Sequence, residues 1–138
     1  MTESTDSARV AESFLPYHEV HRIHGAYTEY LDSGQHDLWL DLFTVDGSLT
    51  VREEVYSGRS GLRRFLAGRG HHAGTHFTGP PIFLGGTVSH CVVKANFLAL
   101  KRTESGIVVS AVGTYHDELR VENGGWWIAA RRVHIGVM

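Results

Sequence analysis

The sequence predicts an α+β domain in which N-terminal helices pack on a strongly curved, mostly antiparallel sheet, making a cone that encloses a pocket. Three observations predict it. Helical apolar periodicity is confined to the first half of the chain. Strand-like segments separated by glycine fill the second half. Those segments are much longer than the usual strand of about five or six residues. Long strands in a small domain must bend, and a bent sheet covered by helices encloses the kind of cavity that takes small ligands.

The elements follow in order. Residues 1–15 are expected to form a loose leader, and 16–138 a single domain. Val20, Ile23, Tyr27, Tyr30 and Leu31 recur at helical spacing, Pro16 suits the first turn, and Asp32-Ser33-Gly34 ends the helix. A shorter helix is expected over Asp37–Phe43, a turn at Asp46-Gly47 and a strand over Ser48–Glu53. Ser60–Leu66 is expected to be a helix capped by Ser60 and stopped by Gly68 and Gly70. Strands are expected over Thr75–Leu84, Thr87–Lys101, Ile107–Val121 and Trp126–Ile135, joined by hairpin-type connections at Gly85-Gly86, Glu104-Ser105-Gly106 and Asn123-Gly124-Gly125.

Composition narrows the function. The 138 residues carry 13 Lys and Arg against 15 Asp and Glu, which leaves no basic footprint for nucleic acid. The single cysteine, Cys91, excludes an intrachain disulfide framework and a CxxC site, and it is expected to be a small buried hydrophobe. No apolar run reaches the ~20 residues of a membrane span. The opening MTESTDSARV has no cationic-then-apolar signal pattern, so a cytoplasmic location is expected.

Ten histidines stand out. His18, His21 and His24 step by three along one helix and drift around it, so they are expected to form a solvated face. His71, His72 and His76 surround a glycine-rich loop. With no HExxH and no cysteine pair, neither a metal nor any other cofactor is expected.

Two residues are candidates for chemistry. Asp32 ends the first helix and His76 opens the first long strand, so both sit where an element meets the cavity. If they touch, the carboxylate holds one ring nitrogen protonated and leaves the other free to take a proton from a ligand. Tyr27 lies five residues before Asp32, about 140° away around the helix, so it is not simply stacked on that carboxylate. Alternation along the strand turns either Tyr115 and Asp117 or His116 and Glu118 inward, and the aromatic favours the first pair. Arg132 and His134 share one face of the last strand, while Arg131 and Val133 share the other. A buried arginine there needs a partner, such as Asp32 or a ligand oxygen. Trp126 and Trp127 are expected in the core and at a subunit contact.

The chain resembles the SnoaL-like branch of the nuclear-transport-factor-2-like superfamily. The similarity runs through Tyr27-Thr-Glu-Tyr-Leu-Asp-Ser-Gly34, Trp39-Leu-Asp-Leu-Phe-Thr-Val-Asp-Gly47, Tyr56-Ser-Gly58, Thr75-His-Phe77 and Gly113-Thr-Tyr-His-Asp-Glu-Leu-Arg120, and closes on Asn123-Gly-Gly-Trp-Trp-Ile-Ala-Ala-Arg-Arg132. The resemblance implies a cone-shaped α+β barrel with a deep pocket. Scytalone dehydratase and a bile-acid dehydratase of this superfamily use an Asp–His dyad as base, which implies Asp32 and His76 as catalytic residues, with Tyr27 matching a catalytic tyrosine. A dehydrochlorinase of the superfamily has lysine at the Tyr27 position, which argues against dehalogenation. The same comparison implies Tyr115 and Arg132 as substrate-binding residues, and Trp39 is expected to bind substrate beside them.

The expected function is therefore a cofactor-independent lyase or isomerase acting on a small cyclic, largely apolar metabolite by dehydratase-type proton abstraction. The alternatives are an aldol-type polyketide cyclase, or a non-catalytic subunit or ligand-binding module. Val93-Lys-Ala-Asn-Phe-Leu98 and the closing run also resemble the small subunit of ring-hydroxylating dioxygenases. A homodimer or homotrimer covering the exposed sheet is expected.

Overall fold

The computed structural model describes residues 16–69 and 74–136. Pro16 accepts the amide of Val20 through its carbonyl and starts helix α1 (Tyr17–Asp32), which buries Val20, Ile23, His24, Tyr27 and Leu31. Ser33 ends the helix by donating its hydroxyl to the Glu29 carbonyl, and Gly34 then takes the left-handed backbone (φ +75°) that glycine tolerates best.

The remaining elements are α2 (His36–Leu40), β1 (Phe43–Val51), β2 (Glu54–Ser57), α3 (Gly58–Arg69), β3 (Gly74–Thr78), β4 (Ile82–Gly86), β5 (His90–Thr103), β6 (Gly106–Glu122) and β7 (Gly125–Ile135). They form one seven-stranded sheet in the order β2-β1-β7-β6-β5-β3, with β4 also paired to β5. All pairs are antiparallel except β1–β7. The sheet is strongly curved but not closed, and the helices pack against its inner face. The core lies between them, from Val20, Ile23 and Leu31 of α1 to Leu49, Val93, Leu119 and Ile128 of the sheet.

Local expectations fail where tertiary pairing outweighs local pattern. The second helix stops at Leu40 instead of Phe43, because Phe43 enters the sheet beside Ile128 and the Leu42 carbonyl accepts the Ile128 amide. Asp46-Gly47 is not a turn but an irregularity inside β1, where the Thr44 hydroxyl donates to Asp46 and the pairing register shifts. The turn falls at Arg52-Glu53 instead, with Arg52 at φ 59°. Helix α3 begins at Gly58, so Ser60 lies in its first turn and is not the cap. The expected Thr75–Leu84 strand is two strands, because Gly79-Pro80-Pro81 breaks it and proline has no N–H for the ladder. The leader residues 1–15, Gly70, His71 and His72 lie outside the described residues.

Two bulges set which side chains face inward. Ala99 and Leu100 of β5 face Ala111 and Val109, so Ser110 is the extra residue of β6. Glu118 and Leu119 of β6 face Ala130 and Ile128, so Ala129 is the extra residue of β7. At Gly113 the strands approach so closely that a Cβ would lie 2.7 Å from the Phe97 ring. Glycine there lets Phe97 stack on Tyr115, with ring centroids 4.4 Å apart.

Candidate active site

Asp32 is the last residue of α1, next to the negative end of the helix dipole. A carboxylate there typically costs a few tenths to about 1 kcal/mol, so its partner and not helix stability accounts for it. That partner is His76 of β3. Oδ1 accepts from His76 Nδ1 at 2.6 Å, and Oδ2 accepts the His76 backbone N–H at 2.8 Å. The carboxylate therefore clamps the strand and fixes the ring together. It selects the Nδ1–H tautomer, and Nε2 has no hydrogen-bond partner among the described residues. The two side chains are 18% and 15% exposed, sheltered but still reachable.

His76 lines a cavity of about 300 Å³ with Tyr27, Leu31, Phe97, Tyr115 and Val133, and with Arg69 of α3 as its cation. The walls are mostly aromatic and aliphatic, and the polar atoms are few. This is the composition of a small-molecule site.

Behind that wall lies a buried polar network that single-residue inspection of the sequence does not reveal. Arg131 donates from Nε and Nη2 to the two oxygens of Asp117, each at 2.7 Å, and both residues are 1% exposed. His24 of α1 donates from Nε2 to the same carboxylate at 2.8 Å. The Arg131 guanidinium carbon lies 4.1 Å from the Tyr27 ring centroid and 3.9 Å from that of Tyr115. One ion pair thus fixes both tyrosines of the cavity wall.

Burial governs the titration of these groups. It pushes the Tyr27 and Tyr115 phenols up, so both hydroxyls remain proton donors at neutral pH. It would also raise Asp117, but the charge and hydrogen bonds of Arg131 and the bond from His24 outweigh it and hold the carboxyl at about 2. His24 is held below its ordinary value because burial disfavours the imidazolium more than Asp117 favours it. Burial pushes the Cys91 thiol up to about 11, as expected of an inert core cysteine.

The structure brings His76, Tyr27 and Tyr115 to one cavity, with Asp32 bonded to His76 but not itself among the lining residues. Two expected lining residues fall elsewhere. Arg132 is exposed on the outer face of β7, and Arg131 takes the inward position. The reason is the bulge at Ala129, which reverses the alternation so that Ile128, Arg131 and Val133 all face inward. Trp39 is fully buried between Tyr27, Phe43 and Phe65, behind the cavity wall. Of the expected solvated histidine face, His18 and His21 are exposed but His24 is buried. Among the described residues no three His, Cys, Asp or Glu side chains are arranged to hold a metal ion, and no helix is long and apolar enough to cross a membrane.

An α+β fold whose helices and curved sheet enclose a small apolar cavity defines the class. The family can also be stated: the chain belongs to the SnoaL-like domain family, whose model matches residues 12–132. No curated protein matches the sequence. Among solved structures, the chain is similar to a variant of Rv3472 from Mycobacterium tuberculosis, a protein of unknown function, with 21% identity over 92% of this chain and 75% of that one and a TM-score of 0.84. It is similar to a candidate scytalone dehydratase from Novosphingobium aromaticivorans, with 18% identity over 99% and 89% of the two chains and a TM-score of 0.75. It is also similar to the beta subunit of a candidate aromatic-ring-hydroxylating dioxygenase from the same organism, with 17% identity over 88% and 90% and a TM-score of 0.77. At these identities the likeness is one of fold.

Two outcomes follow from the network. Arg131→Leu leaves Asp117 buried without its counter-charge and is expected to cost about 3–5 kcal/mol in urea denaturation. Arg132→Leu, on the outer face, is expected to stay within about 0.5 kcal/mol. The unfolded chain takes up a proton at His24 near pH 6.5 while the folded chain resists it, so stability falls as pH drops below that value. Asp117 adds a further loss as pH falls from 3.8 toward 2. The melting temperature is therefore expected to fall between pH 7.5 and pH 5, and to fall less in His24→Gln, on the linkage argument.

Proposed function

We propose that this protein is a cofactor-independent lyase or isomerase that acts on a small, cyclic, largely apolar metabolite by proton abstraction. The observation that carries the proposal is the 2.6 Å contact of Asp32 with His76 at an aromatic-walled cavity of about 300 Å³. Two of the three similar structures bear names from related chemistry or assemblies, a scytalone dehydratase and a dioxygenase beta subunit.

In this mechanism His76 Nε2 takes a proton from a carbon next to a carbonyl. Asp32 stabilises the imidazolium that forms. The electron pair left on carbon becomes a double bond as the carbon–oxygen bond to a β-hydroxyl breaks. The departing oxygen leaves as water, taking its proton from the Tyr27 phenol, which regains one from the imidazolium through solvent. Tyr115 and Arg69 hold the carbonyl or another polar substituent, with Arg69 in the part that the family resemblance implied for Arg132. If the carbanion instead meets a carbonyl of the same substrate, the same base performs an aldol cyclisation. Substrate structure, not the dyad, separates the two outcomes.

Self-association is part of the proposal. Ile107, Val108 and Val109, at the free end of the β5–β6 hairpin, are exposed and suit a contact between copies.

The test uses a panel of cyclic β-hydroxyketones in D2O, followed by mass spectrometry for loss of water or uptake of deuterium beside the carbonyl. A substrate converted by the wild-type chain is expected to turn over 10²–10⁴-fold more slowly with His76→Ala, the usual worth of a general base. Equal rates in the two proteins would remove His76 from the mechanism.

A further inference from the structure

The interior cavity holds one charge that proton abstraction does not use. Of the described residues that line it, Arg69 is the only permanent cation, and none is Asp or Glu. Arg69 is the last residue of α3 and is partly buried. Its Nη1 donates to the Leu31 carbonyl in the last turn of α1 at 3.4 Å, a long bond. The other guanidinium N–H groups have no partner among the described residues, and Arg69 makes no ion pair with them.

The other charged groups at the wall are already matched. Asp117 neutralises Arg131 behind Tyr27 and Tyr115. Asp32 accepts from the ring and from the backbone of His76 with its two oxygens. Arg69 thus meets the cavity with a charge and no counter-charge. A guanidinium keeps its proton at any ordinary pH, so it cannot become neutral to suit an apolar ligand. An uncharged ligand strips water from it and returns little, whereas a carboxylate meets its fork of N–H donors with two parallel hydrogen bonds. One cation matches one negative charge. A cavity of about 300 Å³ is at the small end of ligand pockets, which suits a body of one ring or a fused pair.

We infer that the cavity takes a ring-sized carboxylic acid as its monoanion, with the apolar body against Leu31, Phe97 and Val133 and the carboxylate on Arg69. That this ligand is the substrate rests on the proposed function, and the work at the site then divides. Tyr115 holds the carbonyl beside the carbon that loses its proton, and Arg69 holds a carboxylate elsewhere on the ring. Arg69 therefore selects the class of substrate without touching the reacting atoms. Uncharged ring compounds of the same size lack that pair and bind more weakly.

The experiment titrates the full chain with naphthoate and with naphthamide, a carboxylate and its uncharged counterpart of nearly the same shape, and follows the Leu31 and Val133 methyls by NMR. Naphthoate is expected to shift both and to bind about tenfold more tightly than the amide, the usual worth of a charge-assisted pair. Arg69→Gln keeps an N–H donor for the Leu31 carbonyl but not the charge. It is expected to erase the difference between the two ligands while the melting temperature holds. Arg69→Lys keeps the charge without the fork and is expected to retain part of the difference. No shift with naphthoate, equal affinities in the wild-type chain, or a preference that survives Arg69→Gln would overturn the inference. The chemistry is read separately, because His76→Ala removes the proposed base and is expected to leave the preference for naphthoate in place. That preference without turnover of any hydroxyketone would support the carboxylate anchor and remove the lyase reading. Turnover of uncharged hydroxyketones with no preference for naphthoate would do the reverse.

Discussion

The buried ion pair between Asp117 and Arg131 is the interaction on which the rest of the structure depends. It joins β6 to β7 on the inner face, and through His24 it ties both strands to α1. Removing two charges from water is expensive, and the expense is met only when geometry and hydrogen bonding are nearly complete. Here Asp117 accepts three bonds, and the guanidinium spends its free faces on Tyr27 and Tyr115. Helix, strands and both tyrosines are therefore fixed by one arrangement. The cavity wall is backed by this polar network, in which Asp117 is fully engaged while His24 Nδ1 and Arg131 Nη1 have no hydrogen-bond partner among the described residues.

The site is built on the front of that wall by a second, more exposed pair. Asp32 and His76 come from the end of a helix and the start of an edge strand, and neither would be held there by its own element. Using both carboxylate oxygens on one residue couples the position of β3 to the tautomer of the ring. The contrast between the two carboxylates follows from their surroundings. Asp117 is locked to a permanent cation and sealed from water, whereas Asp32 faces a titratable partner beside an accessible cavity. The first organises the fold, and the second orients the imidazole at the cavity.

Much of the fold was legible in the sequence because its signals are periodic. The helical stripe of Val20, Ile23, Tyr27 and Leu31 gave the face of α1, and strand alternation turned Tyr115 and Asp117 inward together. The meeting of Asp32 with His76 was legible from their places at element ends. What stayed hidden depends on interruptions of period. The extra residue Ala129 reverses the phase of β7, so counting from Ile128 exposes the wrong arginine, and Arg131 rather than Arg132 is inside. The inward Val133 was the available signal, since Arg131 shares its face. His24 was hidden for a related reason: at a spacing of three, successive histidines rotate around the helix, and only the third reaches Asp117. Trp39 shows that a large aromatic near a cavity need not line it.

The proposed function requires Asp32 to keep the proton on His76 Nδ1 and leave Nε2 as the base. The most direct measurement is the nitrogen NMR spectrum of the His76 imidazole at neutral pH. A protonated Nδ1 and an unprotonated Nε2 are expected, and this preference is expected to be lost in Asp32→Ala. A proton found on Nε2 in the wild-type chain would contradict it, because no nitrogen would then be free to accept a proton in the cavity.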